Sequence, residues 1–471
     1  MWKSALSFAG LNLVAQLVVL LSIPIVTRLF TTEVFGFFSI LISFAMILIP
    51  VSSMRLNAAI PITQNDEEAK YIAVAALYSV FFISFLGILF FHIYIHISDI
   101  SHYDLADYGF LALLILIGGF RLIVHFSELR DANYKKLGVA KFFDGLTVSG
   151  SRIGLGVMGL TSVLGLYLAK ILGEFAILIT LRRNSLRLLR STRDVSFKEI
   201  VVAIKNNYKF IVYSTPGVLL NASSRELSTL LIANLYGVSW AGQFAIASRL
   251  LRLPGMSIGK AFSNVVLKES SKVDAVDAEI KTDIKFLLNR LFLGLAPGYI
   301  SIALSSKLLI EGFLGKEWAD TSLVINYTFF YFLIFTCISP ILELANSKGK
   351  QKIYMIMNAG LFISMVGISI FSNYYNIPVN MFLLAMAVIQ STIYLFSGMY
   401  IAGFIGVTVL EYLRQFLPGL IVSLLVYLLF QQILEQGWGG YINLLVSFTL
   451  STLCFAYTVV TMKRFGMKNK Q

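Results

Sequence analysis

Long apolar runs separated by short polar breaks fill the chain from end to end. A helix rises 1.5 Å per residue, so about 20 apolar residues cross the roughly 30 Å hydrocarbon core of a bilayer. Fourteen such runs follow one another, at about 5–27, 35–56, 71–97, 108–129, 141–159, 161–181, 210–235, 239–264, 286–310, 323–345, 353–372, 379–402, 415–433 and 441–462. The pattern predicts an all-α polytopic membrane protein with about 14 transmembrane helices. Only Gly154, Gly156, Gly159, Thr161 and Ser162 separate the fifth run from the sixth, which suits a tight turn but also one long kinked pass. The first run starts after Lys3 and continues through Pro24 to Arg28 without a small-residue cleavage site, so it reads as a retained helix.

Cytoplasmic loops retain Lys and Arg, whereas translocated loops are depleted of them. Basic clusters recur at Arg130 to Lys141, Arg182 to Lys209, Lys268 to Lys285, Lys348 to Lys352 and Lys463 to Lys470. The alternate loops, such as Ser98 to Asp107 and Asn373 to Pro378, hold none, leaving Arg28 and Lys316 as exceptions. Both termini are therefore expected in the cytoplasm.

An internal repeat organises the spans. At a shift of 206 residues Arg28–Ile40 lines up without a gap on Asn234–Ile246, pairing Leu29 with Leu235, Phe30 with Tyr236, Gly36 with Gly242, Phe38 with Phe244 and Ile40 with Ile246. Each copy joins one span to the next, and Pro50 and Pro254 follow. The predicted organisation is a six-helix N-terminal half (1–181), a basic linker (182–209), a six-helix C-terminal half (210–402), and two further helices with a basic tail (403–471). Halves of six helices are parallel repeats, a plan that supports alternating access around a central cavity. The linker, with apolar residues among its cations, reads as an amphipathic helix on the inner leaflet.

Composition agrees and narrows the function. With 57% hydrophobic and 13% charged residues among 471 and a mean hydropathy of +0.80, a soluble enzyme is excluded. The net charge of +13 is accounted for by loops facing the inner leaflet, so no nucleic-acid partner is expected. Cys337 and Cys454 lie in apolar runs and suggest no redox role.

Several charges fall where lipid should be, and each costs about 2.5–3.5 kcal/mol or more on insertion scales unless paired or hydrated. Most are cationic: Arg121, Arg152, Lys170, Arg225, Arg249 and Arg252 line up as a candidate cationic cavity, with Lys260, Arg290 and Lys307 nearer the ends. Lys170 and Glu174 stand at i, i+4 and can neutralise each other, whereas Arg225 and Glu226 are adjacent and point about 100° apart. Asn12, Gln16, Arg28 and Asn221 are candidates to line or gate the cavity, and Glu174, Glu226 and Glu343 to couple transport to an ion. His92 and His96, at i, i+4, give only a weak metal signal, and no metal or cofactor is expected. No G-x-x-x-x-G-K-[ST] loop appears, and the extracytoplasmic loops are too short for a catalytic domain, so the chain is not expected to be an enzyme.

Ser7-Phe8-Ala9-Gly10-Leu11-Asn12, the run from Ile25 to Gly36, the six-plus-six plan and the intramembrane cations together resemble the multidrug, oligosaccharidyl-lipid and polysaccharide exporter superfamily. Within it the chain resembles the Wzx-type flippases, over essentially its whole length; fourteen spans are also the number of the lipid II flippase branch. The resemblance implies a bacterial inner-membrane flippase that carries an undecaprenyl-pyrophosphate-linked repeat unit for O-antigen, capsule or exopolysaccharide synthesis by alternating access. It also implies coupling to a proton or sodium gradient, and membrane lipids, a polysaccharide polymerase and a chain-length regulator as partners. On this reading the pyrophosphate falls to Arg121, Arg152, Lys170, Arg225, Arg249 and Arg252. An ion-coupled multidrug exporter on the same plan is the alternative.

Overall fold

The computed structural model describes residues 2–98, 100, 103–252, 277–347 and 351–435 and, near the C-terminus, 445–446, 449, 451–458 and 460–461. These residues are mostly helical, with no strand among them. In order they form α1 (Trp2–Leu29), α2 (Thr32–Leu48), α3 (Asp66–Ser98), α4 (Leu105–Arg130), α5 (Tyr134–Val157), α6 (Val163–Thr180), α7 (Arg182–Asp194), α8 (Phe197–Asn206) and α9 (Thr215–Tyr236). Then come α10 (238–252), α11 (Asp277–Leu304), α12 (Ser306–Phe313), α13 (Thr321–Ser347), α14 (Gln351–Tyr374), α15 (Val379–Gly403), α16 (Val409–Arg414) and α17 (Leu417–Glu435).

Among the described residues ten helices are long and apolar enough to cross a membrane, which makes this a multi-pass membrane protein. Helices α5 and α9 occupy the fifth and seventh expected runs but are more polar. Lys135, Lys136, Lys141, Asp144 and Arg152 sit on α5, and Asn221, Ser223, Ser224, Arg225 and Glu226 on α9. The eighth and fourteenth runs fall partly outside the described residues.

Local chemistry explains the boundaries. The side chain of Thr31 accepts from the amide of Val34 to start α2, and Asp104 and Asp107 form a reciprocal capping box at α4. Between α5 and α6 the chain turns at Gly159, whose φ of +88° admits glycine readily, so these are two antiparallel helices and not one kinked pass. The apolar run 35–56 does not stay α-helical to its end: α2 stops at Leu48 because Pro50 supplies no amide to the ladder. Three short 3-10 turns replace it, with Met54 and Arg55 at φ of +47° and +60°.

The helices divide into two compact units, Met1–Gly242 and Gln243–Gln471. In the first, α1 packs along α5, α5 along α6, α3 along α4, and α2 along α9. Its buried core joins Ile72, Val74, Ala76, Ile123, Val124 and Ile177, and reaches Leu188, Ile200 and Ala203 of the linker helices. In the second unit α13 packs against α15 and α11 against α17.

The two copies of the sequence repeat meet each other inside the first unit. A Cβ added to Gly36 would run into the carbonyl of Val238, 2.7 Å from its carbon, and one added to Gly242 would run into the carbonyl of Thr32 and lie 2.9 Å from the amide nitrogen of Gly36. Thr32 Oγ1 and Ser239 Oγ, 2.7 Å apart, share a hydrogen bond across this contact. Glycine is required at both positions by the approach of backbone to backbone.

Candidate functional site

Three charged side chains converge in the first unit. Glu174 on α6 is 2% exposed, and its carboxylate accepts from Lys170 Nζ at 2.7 Å, one turn earlier on the same helix. Its other oxygen accepts from the Nε of Arg121, brought over by the packing of α4 on α6. One carboxylate therefore serves two cations, and the cluster keeps a net positive charge. On α5, Lys141 Nζ donates to Asp144 Oδ2 at 2.6 Å. Around the buried Glu174, mutual attraction offsets the cost of taking charges out of water, and removing one partner of such a buried pair typically costs about 3–5 kcal/mol.

The other predicted cations of the first unit have partners of their own. Arg152 on α5 is buried and its guanidinium lies over the ring of Phe38 on α2, 5.1 Å from the centroid. Phe38 in turn packs on Tyr167 of α6 with ring centroids 6.1 Å apart. Arg225 on α9 donates from Nε to Asn221 Oδ1 at 2.7 Å, and its second nitrogen bonds the same oxygen. Glu226 Oε2, next to it in sequence, accepts from Ser43 Oγ on α2 at 3.1 Å. Asn12 and Gln16 are half-buried on α1, and Arg28 is exposed at the end of that helix.

Arg249 and Arg252 lie on the part of α10 that belongs to the second unit. Arg252 sits 5.6 Å from the ring centroid of Phe332 on α13, a cation–π contact. Glu343 is in α13, but its side chain lies outside the described residues, as does Lys260. Arg121, Lys170 and Glu174 are thus brought together, and so are Arg225 and Asn221.

The second unit carries an apolar groove of about 670 Å³ between α11, α13 and α17. Ile300, Leu304, Phe329, Leu420 and Leu424 line it, with Asn326 among its few polar groups.

Two features escaped the sequence reading. Arg55, in left-handed backbone, donates from Nε to Ser214 Oγ at 3.3 Å, where a single π-helical turn (Phe210–Ser214) leads into α9. Asn57, fully buried, accepts from Ser53 Oγ at 2.6 Å while its amide nitrogen finds no partner. Pro50 and Pro61, bracketing Ser52, Ser53, Arg55 and Asn57, are the signal that this stretch leaves the helix. Among the described residues no group of three potential metal ligands gathers. His92 and His96 stack edge to face, and His92 Nδ1 shares a hydrogen bond of 3.0 Å with Tyr108.

A family described as polysaccharide biosynthesis protein matches residues 25–323. No curated protein matches the chain. Among solved structures, the lipid II flippase MurJ in an inward closed conformation aligns over 99% of this chain and 100% of its own, with a TM-score of 0.70 at 12% identity. An inward-facing multidrug resistance MATE family transporter of the MOP superfamily aligns over 85% of this chain and 98% of its own, with a TM-score of 0.62 at 12% identity. A MOP superfamily transporter from Pyrococcus furiosus, whose binding pocket is described as of reverse polarity, aligns over 86% and 96%, with a TM-score of 0.55 at 12% identity. The fold is that of the multidrug, oligosaccharidyl-lipid and polysaccharide exporter superfamily.

Proposed function

The chain belongs to the polysaccharide biosynthesis protein family, and we propose that it is a flippase that moves a polyprenyl-pyrophosphate-linked oligosaccharide from the cytoplasmic to the opposite leaflet. Family and fold together support reading it as a membrane transporter of the flippase kind. The observation that carries the narrower reading is the sign of the charge set into its spans. Arg121, Lys141, Arg152, Lys170, Arg225, Arg249 and Arg252 outnumber the carboxylates Glu128, Asp144, Glu174, Glu226 and Glu343.

A pyrophosphate headgroup needs cations that tolerate desolvation, and arginine offers a planar fork that binds phosphate oxygens in pairs. Glu174 holds Arg121 and Lys170 while the phosphates are absent, and the headgroup competes with that carboxylate for the same N–H donors. Among the coupling candidates with described side chains, Glu174 is the one that touches the proposed headgroup cations. The isoprenoid tail need never leave apolar surroundings, and the groove of about 670 Å³ in the second unit suits it in its apolar lining.

The test is a sidedness assay. Purified protein is placed in liposomes with a labelled polyprenyl-pyrophosphate oligosaccharide, and the rate at which the label becomes accessible from the opposite leaflet is followed. Acceleration over empty liposomes, lost in Arg225→Ala and Arg249→Ala at matched insertion, is expected. No acceleration with several glycans, with or without a proton or sodium gradient, overturns the proposal. In that case efflux of an organic cation by the same liposomes would point to a multidrug exporter instead.

A further inference from the structure

The segment between α6 and α9 presents the wrong face to water. A helix on a solvated surface turns its leucines inward and its polar residues outward. Helix α7 buries Asn184, Ser185 and Ser191 beside Leu188, and Asn184 Nδ2 donates to Asp131 Oδ2 at 3.0 Å. Leu186 and Leu189, each 51% exposed, face outward among Arg182, Arg183, Arg190 and Arg193. The pattern continues into α8, where Ile200 and Ala203 join the core while Phe197, 79% exposed, and Val201 and Val202 turn outward beside Lys198.

The acids of this segment are already engaged. Asp194 lies 3.7 Å from Lys70 of α3, and Glu199 accepts the amide of Ser196 at 2.7 Å. The outward surface is therefore both apolar and strongly positive. Water satisfies the arginines but not the leucines, and hydrocarbon the reverse; the headgroup zone of a bilayer with anionic lipids satisfies both, the long basic side chains reaching up to phosphates while the apolar ones sink. We propose that α7 and the start of α8 dock on an anionic lipid surface, in the leaflet that the basic loops face. Because Asn184 and Asp194 tie α7 to the ends of α4 and α3, this docking clamps those two spans to that leaflet.

The inference does not depend on the transported substrate, and its test does not use transport. Spin labels are placed on the full chain at Leu186→Cys and Leu189→Cys, with Cys454→Ser removing the more accessible native thiol. The protein is held in nanodiscs of phosphatidylcholine with or without phosphatidylglycerol, and collision rates with oxygen and with a water-soluble nickel chelate are measured. Oxygen access with several-fold protection from nickel in phosphatidylglycerol, lost in Arg183→Glu/Arg190→Glu/Arg193→Glu at unchanged melting temperature, is the expected result. Labels open to nickel in both lipids overturn the proposal. Equal protection in neutral lipid overturns its anionic component. Protection that arises only when soluble cell extract is added shows a protein partner and overturns it as well.

Discussion

The contact of Gly36 with Val238 and of Gly242 with Thr32 makes a sharp prediction for Gly36→Ala and Gly242→Ala. The new Cβ of Gly36→Ala would stand 2.7 Å from the carbonyl carbon of Val238, and that of Gly242→Ala 2.9 Å from the nitrogen of Gly36. Non-bonded carbons settle at about 3.5–4.0 Å, so the backbones must part by about 1 Å. No rotamer change relieves a clash with main chain, so the cost belongs toward the upper part of the about 1–3 kcal/mol seen for overpacking. Parting also stretches the Thr32–Ser239 hydrogen bond, a further contribution of about 0.5–1.5 kcal/mol. Each variant is expected to lose about 2–4 kcal/mol. For a unit of this size that lowers the melting temperature in detergent by about 4–16 °C, taking about 2–4 °C per kcal/mol. Once the first substitution has separated the backbones, the second meets less resistance, so the double variant should lose clearly less than the two single losses added together. Thermal unfolding followed by the monodisperse fraction on size exclusion measures all three. Unchanged melting in either single variant, or full additivity in the double, refutes the reciprocal contact.

Three further outcomes are expected. Glu174→Gln removes the negative charge that Arg121 and Lys170 share and turns one of its two acceptor oxygens into an N–H donor, and should destabilise by about 3–5 kcal/mol; adding Lys170→Met should recover part of that in the same melting assay, and a single variant as stable as the parent would contradict the cluster. At the linker, the amide of Ser196 and the hydroxyl of Tyr71 hold the Glu199 carboxyl below its ordinary range. A depressed folded-state value adds stability above the unfolded value of about 4.3, lost as pH falls through the folded one, so a label at Val201→Cys should loosen below about pH 4, and at higher pH in Tyr71→Phe, which removes the hydroxyl donor. Leu420→Trp narrows the apolar groove and should slow flipping of a long polyprenyl carrier more than of a short one; equal slowing would remove the groove from the path of the tail.

How much of this could be read from the chain follows from the range of the forces involved. Apolar periodicity over 20 residues is local, and it located the helices, including α5 and α6 on either side of Gly159. The Lys170–Glu174 pair was legible because four residues along a helix is one turn. Arg121 as the third member was not, since its approach depends on how α4 lies against α6, a property of tertiary packing that no spacing along α4 encodes. The end of α2 was misjudged for the opposite reason: hydropathy sees Val51 and Leu56 as a continuing apolar run, whereas Pro50 acts through a missing amide, which hydropathy does not register.

The repeat joins the two kinds of information. Its register, 206 residues, pairs Thr32 with Val238 and Gly36 with Gly242. In the structure Gly36 touches Val238 and Gly242 touches Thr32, so each position meets the counterpart of the other. When residue i contacts j and the copy of j contacts the copy of i, the relation is the one that a two-fold axis imposes on identical surfaces. Two copies of one short motif therefore explain both glycines with a single requirement. A motif that packs against its own duplicate must be narrow where its backbone crosses, and after duplication that narrowness is needed twice. Sequence similarity alone supplied the pairing of positions. Only the geometry shows that the pairing is also an exchange, and that Gly36 and Gly242 are held by each other.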